Sequence, residues 1–191
     1  MNQRKTVWSS KYRPTDENQN IISEIALGNN ISEIVASLLY NRGFKSSEEA
    51  SKFLNFGDAL MYSPLLLKDV EKAVERVRQA LENNERIVIY GDYDVDGVTS
   101  VTMLYLYLKN LGAQVSYYIP NRVGEGYGLS NDAIELLSTY GVSLIITVDT
   151  GITAVEEVKF AASLGIDVVV TDHHECQDKL PDAIAVINHH R

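Results

Sequence analysis

The chain has 191 residues with a formal net charge of −9, enough for one sizeable core plus a small appendage. Phosphates demand Lys and Arg, so this balance argues against a broad nucleic-acid groove on this chain alone, unless metal consumes part of the acid. No apolar run is long enough to span a membrane, and the start, Met1 to Trp8, lacks the apolar core of a signal peptide. The one cysteine, Cys176, excludes an internal disulfide, fits a reducing cytoplasm and reads as a bystander thiol.

Residues 1 to about 20 are polar and read as a loose arm that Trp8, Tyr12 and Arg13 could dock. Ile31, Ile34, Val35, Leu38 and Leu39 follow helical spacing, and Gly43 supplies a stop. Ser46 with Glu49 predicts a capping box opening a short helix through Phe53 and Leu54. Residues 55–68 look irregular. Asp69 is expected to cap a helix whose Val70, Ala73, Val74, Val77 and Leu81 share one face. Residues 1–80 are thus read as a helical lead without obvious chemistry.

From Arg86 the rhythm changes to strand–helix alternation, and residues 81–191 are read as a second domain. Strands are predicted at 87–90, 114–119, 144–148, 167–171 and 184–187. Helices are predicted at about 98–110, 130–140, 153–164 and 176–180. The first of these is apolar nearly all round and is expected to be buried. Ser130 reads as an N-cap and Thr153 with Glu156 as a capping box. Gly112, Gly141 and Gly165 close the helices. Apolar strands spaced by helices predict an α/β fold: a doubly wound, mainly parallel five-stranded sheet with right-handed crossovers.

In such a sheet, ligands bind beyond the carboxyl ends of the strands. The first strand runs into Gly91-Asp92-Tyr93-Asp94-Val95-Asp96-Gly97. Three carboxylates at alternate positions repel one another, and a bound cation explains them most simply. After the second strand come Asn121 and Arg122, then Gly124-Glu125-Gly126-Tyr127-Gly128. Asp149-Thr150-Gly151 follows the third strand, Asp172-His173-His174-Glu175 the fourth, and Asn188-His189-His190 the fifth. Every strand delivers polar groups to one edge, and that coincidence outweighs any single motif.

Carboxylates mixed with imidazole suit manganese and, less specifically, iron, cobalt or zinc; magnesium explains the histidines poorly. A metal pair would form a clamp for phosphoryl transfer. Asp92 alone could equally cap a turn. Asp149 after a strand is commonly a helix cap, but Thr153 already fills that role, which favours function for Asp149. Of His173 and His174, one could ligate metal while the other contacts substrate. Arg122 could grip a phosphate bidentately or pair with Glu125. Tyr127 could stack a base or pack its loop. His189 and His190 read as solvent-exposed.

Three segments, Gly91 to Gly97, Thr147-Val148-Asp149-Thr150-Gly151-Ile152 and Thr171-Asp172-His173-His174-Glu175, resemble successive motifs of the DHH phosphoesterases, named for Asp-His-His. The tyrosine-rich first motif, Pro120-Asn121-Arg122, Glu125 to Gly128 and the helical lead are similar to the RecJ branch, the single-strand-specific exonucleases. The resemblance spans most of residues 60–191. It implies two divalent metals, Mn2+ or Mg2+, with Asp94, Asp96, Asp149 and His173 as ligands and Asp92 as ligand or support. Asp172 and His174 would orient phosphate or ligands, with His174, Arg122 and Tyr127 meeting substrate. It further implies 5′→3′ degradation of single-stranded DNA in repair and recombination by a cytoplasmic, membrane-free monomer that could meet other repair proteins.

The family pattern continues with a further ligand aspartate and further domains, so the chain is expected to be an N-terminal fragment with weak metal binding and little activity alone. Relatives often have Asn-Pro where this chain has Asn188-His189. One alternative is a DHH phosphodiesterase acting on oligoribonucleotides, cyclic dinucleotides or pyrophosphate. Another is a haloacid-dehalogenase-type phosphatase, because Asp94-Val95-Asp96-Gly97-Val98-Thr99 resembles its nucleophile motif; this leaves His173 and His174 unexplained. A third is a non-enzymatic binding module.

Overall fold

Runs of Val and Ile from Arg86 onward have the composition of strands covered on both faces. In the computed structural model of the chain five strands form, one of them, at the sheet edge, largely exposed. The structure describes residues 15–55, 57, 61–121, 126 and 128–191. β1 (Arg86–Gly91), β2 (Gln114–Tyr118), β3 (Val142–Val148), β4 (Asp167–Thr171) and β5 (Ala185–Ile187) make one sheet ordered β2-β1-β3-β4-β5. Every neighbouring pair is parallel. The helices are α1 (Asp16–Asn29), α2 (Glu33–Asn41), α3 (Ser47–Leu54), α4 (Val70–Glu82), α5 (Val95–Asn110), α6 (Asn131–Thr139) and α7 (Val155–Ser163).

The chain divides into two compact units, Met1–Tyr62 and Ser63–Arg191. In the first, Ile22, Ile25 and Ala26 of α1 meet Ala36 and Leu39 of α2 and Ala50 of α3. In the second, side chains alternate across the pleat. Ile87, Ile89, Leu144, Ile146, Val169 and Ala185 face Ala73 and Ala80 of α4 and Val101 and Leu108 of α5. Val88, Tyr90, Ile145, Val168, Val170 and Val186 face Ala133, Ile134 and Leu137 of α6 and Val158 and Ala161 of α7. Each fully buried Ile or Val contributes about 1.5–3 kcal/mol against exposure.

This order places the chemistry. From β1 the chain crosses to β2 on one side, and from β3 it crosses to β4 on the other. The topological switch point therefore lies between β1 and β3, where a crevice opens at the carboxyl ends. Asp92 and Asp94 follow β1, and Asp149 follows β3.

Several local expectations give way. The expected loose arm already contains the start of α1, because Thr15 Oγ1 accepts from the Asn18 amide at 3.2 Å and nucleates a polar first turn; Trp8, Tyr12 and Arg13 lie outside the described residues. On α2 the small Ala36 and Leu39 face the core, while Ile34 and Leu38 are exposed. Ser46 caps α3 as expected, but Glu49 reaches back to the Lys45 amide at 2.8 Å, one residue before the cap.

Asp69 has a left-handed backbone and makes no capping bond. Its carboxylate instead takes Lys72 Nζ at 2.9 Å and Arg191 Nη1 at 2.7 Å, which ties α4 to the end of β5. α5 starts at Val95 rather than Val98, because Asp94 caps it, and it is not wholly buried: Met103 and Leu106 face solvent. Residues 176–180 are not helical; Cys176 and Leu180 pack as a loop against the α6–α7 core. Thr153 does not cap α7. Ala154 holds that position without a side-chain bond, and the preceding Ile152 amide is met by Asp172.

Candidate metal centre

The acidic turn after β1 is shaped by its own carboxylates. Asp94 Oδ1 accepts from the amides of Asp96 at 2.9 Å and Gly97 at 3.0 Å, which starts α5. The Gly97 amide holds the Asp94 carboxyl below its usual range, against a smaller opposing effect of burial. Asp92 is buried, and its Oδ1 accepts the Tyr93 amide at 2.7 Å. Gly97 is required for contact: a Cβ there would meet Asp92 backbone atoms at 2.4–2.7 Å.

Asp149 comes to this turn from β3 with φ 59, a left-handed conformation that Asp tolerates better than most residues. It is neither a cap nor solvent-facing. Oxygens of Asp92, Asp94 and Asp149 lie within 4.8 Å of one another. Burial pushes the Asp149 carboxyl up, and the Asp94 charge pushes it further, against the opposing His173. His173 Nε2 stands 2.9 Å from Asp149 Oδ1. Asp149, His173 and His174 form a second group with ligand atoms within 4.8 Å.

Asp172 has the opposite character. Its carboxylate accepts from the amides of Ile152 (2.9 Å), His173 (2.7 Å) and His174 (3.1 Å), and Oδ1 also lies 2.7 Å from His174 Nδ1. Burial alone would raise its pKa; these bonds outweigh burial and lower it. The pairing with Asp172 in turn raises His174. Asp172 thus anchors the histidine pair to the loop after β3, and its oxygens are engaged within the fold.

A cleft of about 490 Å³ opens here. Asp96 lines it from the first turn of α5 but belongs to neither close group. Asn188 and His189 also line it. His189 is solvent-exposed, as expected, and its place beyond β5 puts it on the same edge as the acidic turn. Asn188 is buried, donates to His174 O at 2.8 Å and accepts from the His190 amide at 2.8 Å. Arg122, Glu125 and Tyr127 lie outside the described residues.

Three carboxylates converging with imidazole, one of them destabilised in its charged form by its neighbours, fit a hard or borderline divalent cation. The pattern has relatives. Residues 86–191 match the DHH family, N-terminal domain. The chain is 49% identical over 158 residues to the single-stranded-DNA-specific exonuclease RecJ of Bacillus subtilis (strain 168), covering 83% of this chain and 20% of that protein. A crystal structure of RecJ in complex with Mn2+ from Thermus thermophilus superposes with a TM-score of 0.67 at 27% identity, over 88% of this chain and 23% of that one. A crystal structure of exonuclease RecJ bound to manganese gives 0.62 at 34% identity, over 67% of this chain and 33% of that one. The chain therefore spans about a fifth to a third of the length of these relatives. With its sheet order, its acidic turn and its Asp-His-His segment all in the matched region, the chain belongs to the DHH family and carries that family's N-terminal domain.

Proposed function

We propose that the protein carrying this chain is a metal-dependent phosphodiesterase that degrades single-stranded DNA from the 5′ end in repair and recombination. The observation that carries this is the convergence of Asp92, Asp94 and Asp149 within 4.8 Å at the switch point, beside His173 and His174. The likeness to single-stranded-DNA-specific exonucleases supplies the substrate class.

Asp94, Asp96, Asp149 and His173 would hold Mn2+ or Mg2+, with Asp92 as ligand or support. Bound there, divalent metal polarises a phosphoryl oxygen and lowers the pKa of water. The chain's own residues do the rest. Asp172 is a positioning residue: by fixing Nδ1 of His174 it aims that ring towards the phosphate. Asp94 holds the turn and the first amides of α5 in register. Arg122 and Tyr127 are proposed to grip phosphate and stack a base. The phosphoesterase domain is proposed to take in residues 81–191, with residues 1–80 as its lead; α4 is the part of that lead built into the sheet's core. Among the described residues no helix is long and apolar enough to cross a membrane. The whole protein is proposed to be a cytoplasmic monomer that meets other repair proteins.

The test is hydrolysis by the full-length protein with manganese, on a 5′-labelled single strand, a 3′-labelled single strand, a duplex and a dinucleotide. Mononucleotide release from the 5′ end of single strands alone is expected. Preference for the dinucleotide would move the assignment to a small-substrate phosphodiesterase.

A further inference from the structure

A phosphodiester is an acceptor of hydrogen bonds, and most of the donors lining the cleft are already engaged. Thr99 Oγ1 donates to Val95 O at 2.7 Å, and Thr171 Oγ1 donates to Thr147 O at 2.6 Å. The Asn188 amide nitrogen is held by His174 O, and His173 faces Asp149. The remaining polar lining groups, Asp96, Asp149 and Asp172, are carboxylates. A polyanion entering a cleft so composed needs donors besides metal, or the carboxylates repel it.

Two lining side chains are different. Ser100, on α5, makes no side-chain hydrogen bond with any described residue. His189, just beyond β5, makes no hydrogen bond or ion pair with any described residue; its ring rests on His190, centroids 4.0 Å apart. That contact and the lock of Asn188 on either side, His174 O and the His190 amide, fix the segment that carries the imidazole. His189 is also absent from both groups of closely spaced ligand atoms, so its position suits a ligand of the substrate rather than of the metal.

We propose that Ser100 and His189 are phosphate-binding residues, donors from the α5 and β5 walls of the cleft that hold the backbone of single-stranded substrate against the carboxylate end. This rests on the phosphodiesterase assignment above. Of the two residues, His189 lies beyond β5, the strand at the other end of the sheet from β2.

The experiment uses the full-length protein. Binding of a 5′-fluorescein-labelled oligodeoxythymidylate is read by anisotropy with calcium replacing manganese, steady-state hydrolysis is measured with manganese, and manganese affinity is measured by titration calorimetry. His189→Ala and Ser100→Ala are each expected to raise Kd and KM about ten- to a hundredfold, the loss of one hydrogen bond to a charged acceptor. Expected alongside are kcat within about twofold, unchanged manganese affinity, and recovery of most binding in His189→Gln, which keeps a donor. Unchanged Kd and KM in both alanine variants would overturn the inference, as would weakened manganese binding in His189→Ala, or a His189→Gln variant as impaired as the alanine. Wild-type protein that neither binds nor cleaves single strands would overturn the assigned function and this inference with it. Cleavage indifferent to both substitutions would overturn this inference alone.

Discussion

Asp149→Asn should raise the stability of the metal-free protein while abolishing its stabilisation by manganese. Burial and the neighbouring Asp94 charge raise the Asp149 pKa in the fold. For a carboxyl whose pKa is raised by folding, stability is lost as pH climbs from the unfolded value of about 3.9 to the folded one. At neutral pH the metal-free fold therefore bears the full penalty. Carboxylate oxygens within 4.8 Å repel by about 0.9 kcal/mol in water and about 3.5 kcal/mol at an effective dielectric constant of 20. Asp94 is exposed, so the lower part of that range applies, about 1–2 kcal/mol. Asn keeps the left-handed backbone accessible and its carbonyl can still meet His173. For a unit of this size the gain corresponds to about 3–10 °C in Tm. The assay is thermal unfolding in chelator and in manganese, on wild type and variant. Wild type should be less stable than the variant in chelator and gain more from manganese. A variant that is less stable in chelator, or that gains as much from manganese as wild type, would refute the reasoning.

Gly97→Ala forces a Cβ to within 2.4 Å of Asp92 O, and a loss of about 2–3 kcal/mol is expected from urea unfolding; an unchanged midpoint would mean the turn has room to yield. Asp69 is held at about 2 by Lys72 and Arg191, so Asp69→Asn should cost about 1.5–3 kcal/mol at pH 7. That difference should persist down to pH 4 and vanish between pH 4 and pH 2, since a depressed carboxyl stabilises only above its folded pKa; a difference independent of pH would count against the ion pairs. Asp172→Asn should lower the titration midpoint of His174 in NMR spectra, because the Asp172 pairing is what raises it; an unmoved midpoint would assign that rise to the wrong neighbour.

The sheet was legible because Ile87 to Tyr90, Leu144 to Val148 and Val168 to Val170 are covered on both sides, and such strands can be little else. The convergence of Asp92, Asp94, Asp149, His173 and His174 followed from the rule that parallel strands present their carboxyl ends together. Helix boundaries were less legible where a polar residue had two uses. Asp69 looks like a cap but serves Arg191, 122 residues away in sequence. Thr153 looks like a cap, but Asp172, from the loop beyond β4, meets the amide beside it. Asp94 looks like a ligand and is also the cap that starts α5 three residues early. Apolar composition misled on α5, whose Met103, Leu106 and Tyr107 are exposed. Composition records how apolar a helix is, not how many neighbours the sheet gives it.

The central claim is that the acidic turn, Asp149 and His173 together form a divalent-metal site. Anomalous diffraction at the manganese absorption edge, from crystals of this chain equilibrated with manganese, tests it directly. The account predicts anomalous density bounded by the carboxylates of Asp94 and Asp149 and by His173. Density confined to other positions, or none in this cleft at millimolar manganese, would contradict it.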